Sequence, residues 1–358
     1  MSVALYVCSV DKFSGKSAIC VGLGRWLARN DFAFGYMKPL SVTARHSEGR
    51  VIDEDAEFIR AFFDLPDPAE ALVPIGLTPQ DVESALRTEV DPSVYLARLQ
   101  GAYRAMSRDK DVVLLEGGGS LSEGAIIGLS PAQVAHSLAA RVLVVIKYVT
   151  DMQVVDDALS AHVVLGSSLL GVLLNVVPSL AKKVVDEAVV PALARRGIRT
   201  YGVLPQDHLL GAISVREMAH ILDGEILCAA HKQDELVENL MVGAMNVDAA
   251  LSYFRRKPNK AVVTGGDRPD IQLAALETST RCLILTGNLR PSPVILSRAE
   301  EVGVPAVLVR QDTLTAIEII ERALGRTRFH QEKKVQAFDR VLNENFDFRG
   351  LFSDLGVA

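Results

Sequence analysis

Short aliphatic runs alternate with helical stretches along nearly the whole chain, and this alternation limits the fold more than any other feature. The run Val3–Ser9 is followed by a helical pattern over 18–29, with Ile19, Leu23, Trp26 and Leu27 at helical spacing. Further runs at 32–38, 111–116, 142–148, 169–177 and 201–204 read as strands. Helical patterns at 152–162 and 181–196 separate the later ones. The region 53–100 reads as helix broken by Pro66, Pro68, Pro74, Pro79 and Pro92. Strands that alternate with helices argue for βαβ units and a parallel sheet with helices on both faces. Composition agrees, because hydrophobic residues make up 49% and aromatics only 6%. The core must then be Val, Leu, Ile and Ala, as in a sheet buried on both sides.

A second series begins near Gly211. Helices are expected over 215–222, 247–255, 271–278, 293–302 and 314–324. Strands are expected over 225–229, 260–264, 282–286 and 306–309. The 358 residues suffice for about two domains. The reading therefore divides the chain into 1–210, a smaller α/β unit over 211–325, and a charged amphipathic tail over 326–358. Val335, Phe338, Val341 and Leu342 lie on one face of that tail.

Several function classes are excluded at this level. The net charge is −6 and no basic cluster stands out, so nucleic acid is not an expected partner. Cys8, Cys20, Cys228 and Cys282 are widely spaced, which signals neither a disulfide framework nor a thiolate metal site. Reduced thiols and a cytoplasmic location are the expectation. The N-terminus lacks a basic stretch followed by an apolar one. The longest apolar region, 162–178, carries Gly166, Ser167, Ser168, Gly171 and Asn175, too short and polar to span a bilayer. The histidines show no metal spacing, and no Gly-x-Ser-x-Gly run appears.

The chemistry concentrates at Gly15-Lys16-Ser17, between a strand and a helix. The first amides of such a helix and its dipole favour an anion, so Ser14, Gly15, Lys16, Ser17 and Ala18 read as a phosphate cradle. Lys16 can reach the outer phosphates, and the Ser17 hydroxyl can meet Mg²⁺. The usual G-x-x-x-x-G-K-[ST] spacing would put glycine at 10, where Val stands. Glu116 closes a buried strand and precedes Gly117-Gly118-Gly119, a placement that suits direct or water-bridged Mg²⁺. Lys38 ends another strand and can attract an anionic group. Asp53 and Asp55 open a helix, where carboxylates also suit the dipole.

The run Ser9-Val10-Asp11-Lys12-Phe13-Ser14-Gly15-Lys16-Ser17, with Lys38-Pro39 and Glu116-Gly117-Gly118-Gly119, resembles dethiobiotin synthetase and its cobyrinic acid amidase relatives, the AAA_26 type. The first glycine of that family's longer loop falls at Ser9, which puts the form of its phosphate binding in question. The resemblance implies a P-loop NTPase sheet over about 1–210 that binds ATP with Mg²⁺. It implies metal ligation by Ser17, Glu116 and one of Asp53 and Asp55, with Lys38 near the reacting groups. It further implies that Asn175 meets the base and that Gly202-Val203-Leu204-Pro205 lines the adenine pocket. The second unit resembles a DRTGG domain through Gly243-Ala244-Met245, 264–272 and Leu285-Thr286-Gly287. Asp267 and Arg268 are kept there, although the literal five-letter run is not. Arg268 can meet a phosphate or pair with Asp270.

This order of units is similar to the N-terminal half of long bacterial phosphotransacetylases, whose acetyltransferase domain is expected to be absent here. The leading expectation is a regulatory Mg-ATP-binding protein with weak hydrolysis, assembled as a homo-oligomer. One alternative is an ATP-dependent enzyme that activates a small carboxylate, with Lys16 and Lys38 as catalytic groups. The other is a non-catalytic assembly protein with a decayed loop.

Overall fold

The computed structural model describes residues 2–47, 50–324 and 331–357. The chain separates into two compact units, Met1–Gln206 with Val335–Ala358, and Asp207–Lys334. The first is built on six strands, β1 Val3–Ser9, β2 Phe34–Met37, β3 Val112–Glu116, β4 Arg141–Lys147, β5 Leu169–Val177 and β6 Thr200–Pro205. Their order is β6-β5-β4-β1-β3-β2, and every pairing is parallel. All five residues of β3 are buried, as are Leu5, Val7, Val144 and Leu173. Sheet positions covered on both faces demand continuous aliphatic runs, which is the pattern the sequence carries. The chain starts at the centre of the sheet, moves out to β2, returns at β3 and crosses to β4. The crevice at the carboxyl ends of β1 and its neighbours is therefore the switch point of an open sheet.

Helix α1 is Lys16–Arg29 and α2 is Glu54–Phe63. The proline-rich region contains three further helices, Ala69–Leu72, Pro79–Arg87 and Pro92–Met106. Pro79 and Pro92 open their helices, where a missing N–H costs nothing, so these prolines start helices rather than break them. The helix expected over 181–196 runs as Ser179–Val184, a π-helical turn Val185–Val189, and Val190–Ala194. Pro191, lacking an N–H and crowding the preceding turn, accounts for that interruption.

The C-terminal stretch was set apart by the sequence as a tail over 326–358; residues 326–330 lie outside the described residues. From Val335 on, the chain belongs to the first unit. Helix α3, Glu332–Asn345, lays Leu342 and Phe338 against Gly22 of α1, so closely that a Cβ on Gly22 would strike Leu342. Helix α4, Phe348–Leu355, stacks Phe352 on Trp26 with ring centroids 4.4 Å apart. Between them Phe346 bridges Gly202 and covers the outer side of β6. Arg199 binds Asp347 at 3.0 Å and also Asp354. Sequence periodicity found the apolar face of α3 but not what it covers.

The second unit holds β7 Glu225–Cys228, β8 Asn239–Val242, β9 Lys260–Gly265, β10 Thr280–Thr286 and β11 Ala306–Leu308, in the order β7-β11-β10-β9-β8. Among the described residues of this sheet only β7 runs antiparallel. Adjacent residues face opposite layers: Val262, Leu283 and Leu308 enter one core with Phe254, while Val263, Ile284 and Val307 enter the other with Met218. Strand β8 was not anticipated. It is a half-buried edge whose pattern is too short to stand out.

Candidate functional site

The site grows from the loop between β1 and α1. Gly15 adopts φ 96°, ψ 16°, a left-handed conformation that favours glycine. A Cβ there would also lie 2.5 Å from Asn175 Nδ2. Asn175, on β5, donates that amide to the Ser14 carbonyl at 2.8 Å, and its Oδ1 accepts the Val176 N–H at 2.9 Å. The side chain thus clamps the loop from a strand two positions away. The first turn of α1 has no acidic residue and its cap has no side-chain hydrogen bond. Its opening amides and dipole accordingly face the loop without a built-in anion. The Ser14 hydroxyl is buried there with no hydrogen-bond partner, and Ala18 is buried on the next turn. An orphaned hydroxyl inside such a cradle is what a polar ligand would satisfy.

Lys16 folds back onto its own loop. Its Nζ donates to Ser9 Oγ at 2.8 Å, and Ser9 Oγ donates to the Asp11 carbonyl at 2.7 Å. Burial pulls the Lys16 pKa below its ordinary value, against the opposing pull of Glu116, Cys8 and Glu123. Ser9, the departure from the family's glycine, therefore holds the lysine.

Beside it, Ser17 Oγ donates to Glu116 Oε1 at 2.7 Å, and Tyr36 donates its hydroxyl to Glu116 Oε2 at 2.8 Å. Parallel pairing sets Glu116 level with Val7, two residues before the loop begins. Burial raises the pKa of Glu116; Asp55 adds to this, while Lys38, Ser17 and Tyr36 oppose it. Tyr36 was missed in the sequence, where it reads as a core aromatic. The available signal was its position two residues before Lys38, on the same face of a strand.

Lys38 Nζ lies 2.9 Å from Asp53 Oδ2 and 3.3 Å from Asp55 Oδ2. Burial opposes its charge, but Glu116, Asp53 and Asp55 together outweigh that and hold its pKa above the ordinary value. The two aspartates differ in use. Asp53 caps α2, accepting the Asp55 and Ala56 amides on Oδ1 and Ser41 and Lys38 on Oδ2. It is buried and saturated. Asp55 is about one-third exposed and faces the Lys38–Glu116 side. Ser17, Glu116 and Asp55 are hard oxygen donors. Among the described residues no group of three or more His, Cys, Asp or Glu side chains could hold a metal. That donor set suits a cation that takes one or two carboxylates and completes its shell with phosphate and water, as Mg²⁺ does.

The remaining expected residues fall elsewhere. Leu204 is a fully buried core side chain of β6, and Pro205 ends that strand. In the second unit Arg268 pairs with Asp270 at 3.0 Å and donates to the Met245 carbonyl at 3.1 Å. Asp267 packs its carboxylate against Gly265, just before the helix Pro269–Leu276. Arg268 thus has the structural ion pair that its spacing from Asp270 allows.

A loop after the central strand of a parallel sheet, a lysine and a hydroxyl opening the next helix, and a carboxylate ending the neighbouring strand define the P-loop class of α/β proteins. The chain belongs to the AAA_26 family, whose AAA-domain model matches residues 3–214, and a DRTGG-domain model matches residues 217–323. It is similar to the phosphate acetyltransferase of Synechocystis sp., 24% identical over 352 residues, which cover 91% of this chain and 48% of that protein. The phosphate acetyltransferase of Nitratidesulfovibrio vulgaris is 23% identical over 377 residues, covering 99% and 52%. An ATP-dependent dethiobiotin synthetase of Caldicellulosiruptor saccharolyticus is 24% identical over 119 residues, covering 33% and 49%. The chain spans about half the length of the phosphate acetyltransferases it matches. No described helix is long and apolar enough to cross a membrane.

Proposed function

We propose that the first unit binds ATP with Mg²⁺ and that the chain serves as a regulatory module of the phosphotransacetylase type, with at most slow hydrolysis. The observation that carries this reading is the 2.7 Å contact between Ser17 and Glu116, residues that meet only through the sheet, directly beside Lys16. In this reading Ser14, Gly15, Lys16, Ser17 and Ala18 cradle the phosphates, and Lys16 leaves Ser9 to meet them. Ser17, Glu116 and Asp55 hold Mg²⁺, which supplies charge neutralisation at the phosphates. Asn175 keeps the loop in shape, and Pro205, at the end of β6, borders the base, while Leu204 is buried behind it in the core. The buried, unpartnered Ser14 hydroxyl supports a polar ligand in the loop. The pairing of a P-loop AAA domain with a DRTGG domain supports a nucleotide-binding regulatory role. Asp267 and Arg268 of the second unit are proposed effector contacts, and a homo-oligomer in the cytoplasm is the proposed setting. A carboxylate-activating role has less support, since Lys38 is already engaged by two aspartates.

Titration calorimetry with ATP, ADP and AMP, with and without Mg²⁺, tests the reading. Mg-dependent binding that Lys16→Ala abolishes is expected. No heat at millimolar nucleotide would refute it and leave the decayed-loop alternative.

A further inference from the structure

Glu123 lies on the loop that follows β3, outside the residues assigned so far. Its Oε2 accepts the Gly119 N–H at 2.9 Å. A Cβ on Gly118 would strike Glu123 Oε1, and one on Gly119 would lie 3.2 Å from Oε2. The two glycines therefore let the carboxylate rest directly on the backbone. From the other side the Lys12 side chain covers Gly119, where a Cβ would meet Lys12 Cγ at 2.6 Å and Cε at 3.1 Å. Lys12 belongs to the β1–α1 loop, so Glu123 sits where that loop and the Gly117–Gly119 loop come together. Glu123 is also close enough to favour the charged form of Lys16. The Gly117 N–H bonds to Val7 and extends the sheet, whereas the Gly119 N–H is turned to this carboxylate.

An anion that accepts a backbone amide beside a phosphate-cradle lysine occupies the kind of position a terminal phosphate would take. Resting on the nucleotide-binding reading above, we propose that Glu123 is a specificity-determining residue. Its carboxylate holds the anion subsite at Gly119 and so disfavours a nucleoside triphosphate relative to the diphosphate. The physical reason is competition for one donor, joined by repulsion between two anions at close range. A diphosphate reaches one group less far and leaves Glu123 in place.

The test measures Kd for Mg-ATP and Mg-ADP by calorimetry in the wild type, Glu123→Gln and Glu123→Ala, with no turnover required. Glutamine keeps an acceptor for Gly119 and removes the charge. The Kd(ADP)/Kd(ATP) ratio is expected to rise about tenfold in Glu123→Ala and by a smaller factor in Glu123→Gln, which removes only the repulsion, through tighter ATP, with ADP held within about twofold. If the wild type binds nucleotide and neither variant moves the ratio, the Glu123 proposal alone is overturned. If no form binds either nucleotide while each melts cooperatively, the nucleotide reading falls and this proposal with it.

Discussion

Replacing Lys38 with methionine decides whether that lysine is a counter-ion of the fold or a group presented to a ligand. Its ammonium sits 2.9 Å from Asp53 and 3.3 Å from Asp55, and the three side chains are 9%, 2% and 34% exposed. Methionine keeps most of the apolar stem and removes the charge. Asp53 Oδ2 would then retain only the Ser41 hydroxyl at 2.6 Å, leaving a buried carboxylate without its cation. Breaking one side of a buried pair costs about 3–5 kcal/mol, and the exposed Asp55 contact adds at most about 1 kcal/mol. Asp53→Asn keeps an oxygen for the Asp55 and Ala56 amides while removing the charge. The double variant K38M/D53N should therefore be more stable than the sum of the single losses, by about 1.5 kcal/mol or more. Urea unfolding followed by fluorescence of Trp26, the chain's one tryptophan and a residue of the first unit, gives these values.

The pH dependence has a definite sign. The folded pKa of Lys38 lies above its unfolded value, so its stabilisation is complete below about 10.4 and fades only as pH climbs through the higher folded value. The wild-type advantage over K38M should thus stay flat from about pH 6 to 9. A K38M loss below about 1 kcal/mol, or strict additivity with D53N, would refute the counter-ion reasoning.

Three further outcomes are expected. Ser9→Ala removes the hydroxyl that holds Lys16 at 2.8 Å. A hydrogen bond worth about 0.5–1.5 kcal/mol then no longer competes with phosphate, so nucleotide Kd should fall by about twofold to tenfold in calorimetry. Tyr36→Phe strips the donor from Glu116 Oε2 and should cost about 1–3 kcal/mol in urea unfolding, with weaker Mg²⁺ dependence of nucleotide binding. In the second unit burial pushes Lys260 down to about 8. A folded value below the unfolded ~10.4 makes stability rise as pH climbs from about 8 to 10, and K260M should flatten that rise in pulse proteolysis.

The phosphate loop was legible because its signals are local. Gly15-Lys16-Ser17 needs only a strand before it and a helix after it, and both follow from hydrophobic period. Glu116 was legible for a related reason, since a carboxylate closing an all-aliphatic strand must emerge at the sheet's edge. The partners of these residues were less visible. Tyr36 looks like any buried aromatic until its hydroxyl is placed against Glu116. Asp53 and Asp55 are equivalent as letters, and only the cap of α2 and the ion pair to Lys38 separate a saturated carboxylate from one facing the crevice. Ser9 read as a departure from a glycine pattern, while in the structure it holds Lys16.

By itself, the sequence determined the alternation of strands and helices, the aliphatic character of two sheets covered on both faces, and the loop that opens α1. These depend on spacings within a few residues and on burial periodicity, which neighbouring letters encode. Tertiary structure alone decided that β3 lies beside β1, bringing Glu116 to Ser17, and that Asn175 clamps Ser14. It also returned α3 and α4 to the first unit, against Gly22 and Trp26. Those pairings join residues as many as hundreds of positions apart, and their register follows from packing over the whole sheet, which no local pattern records.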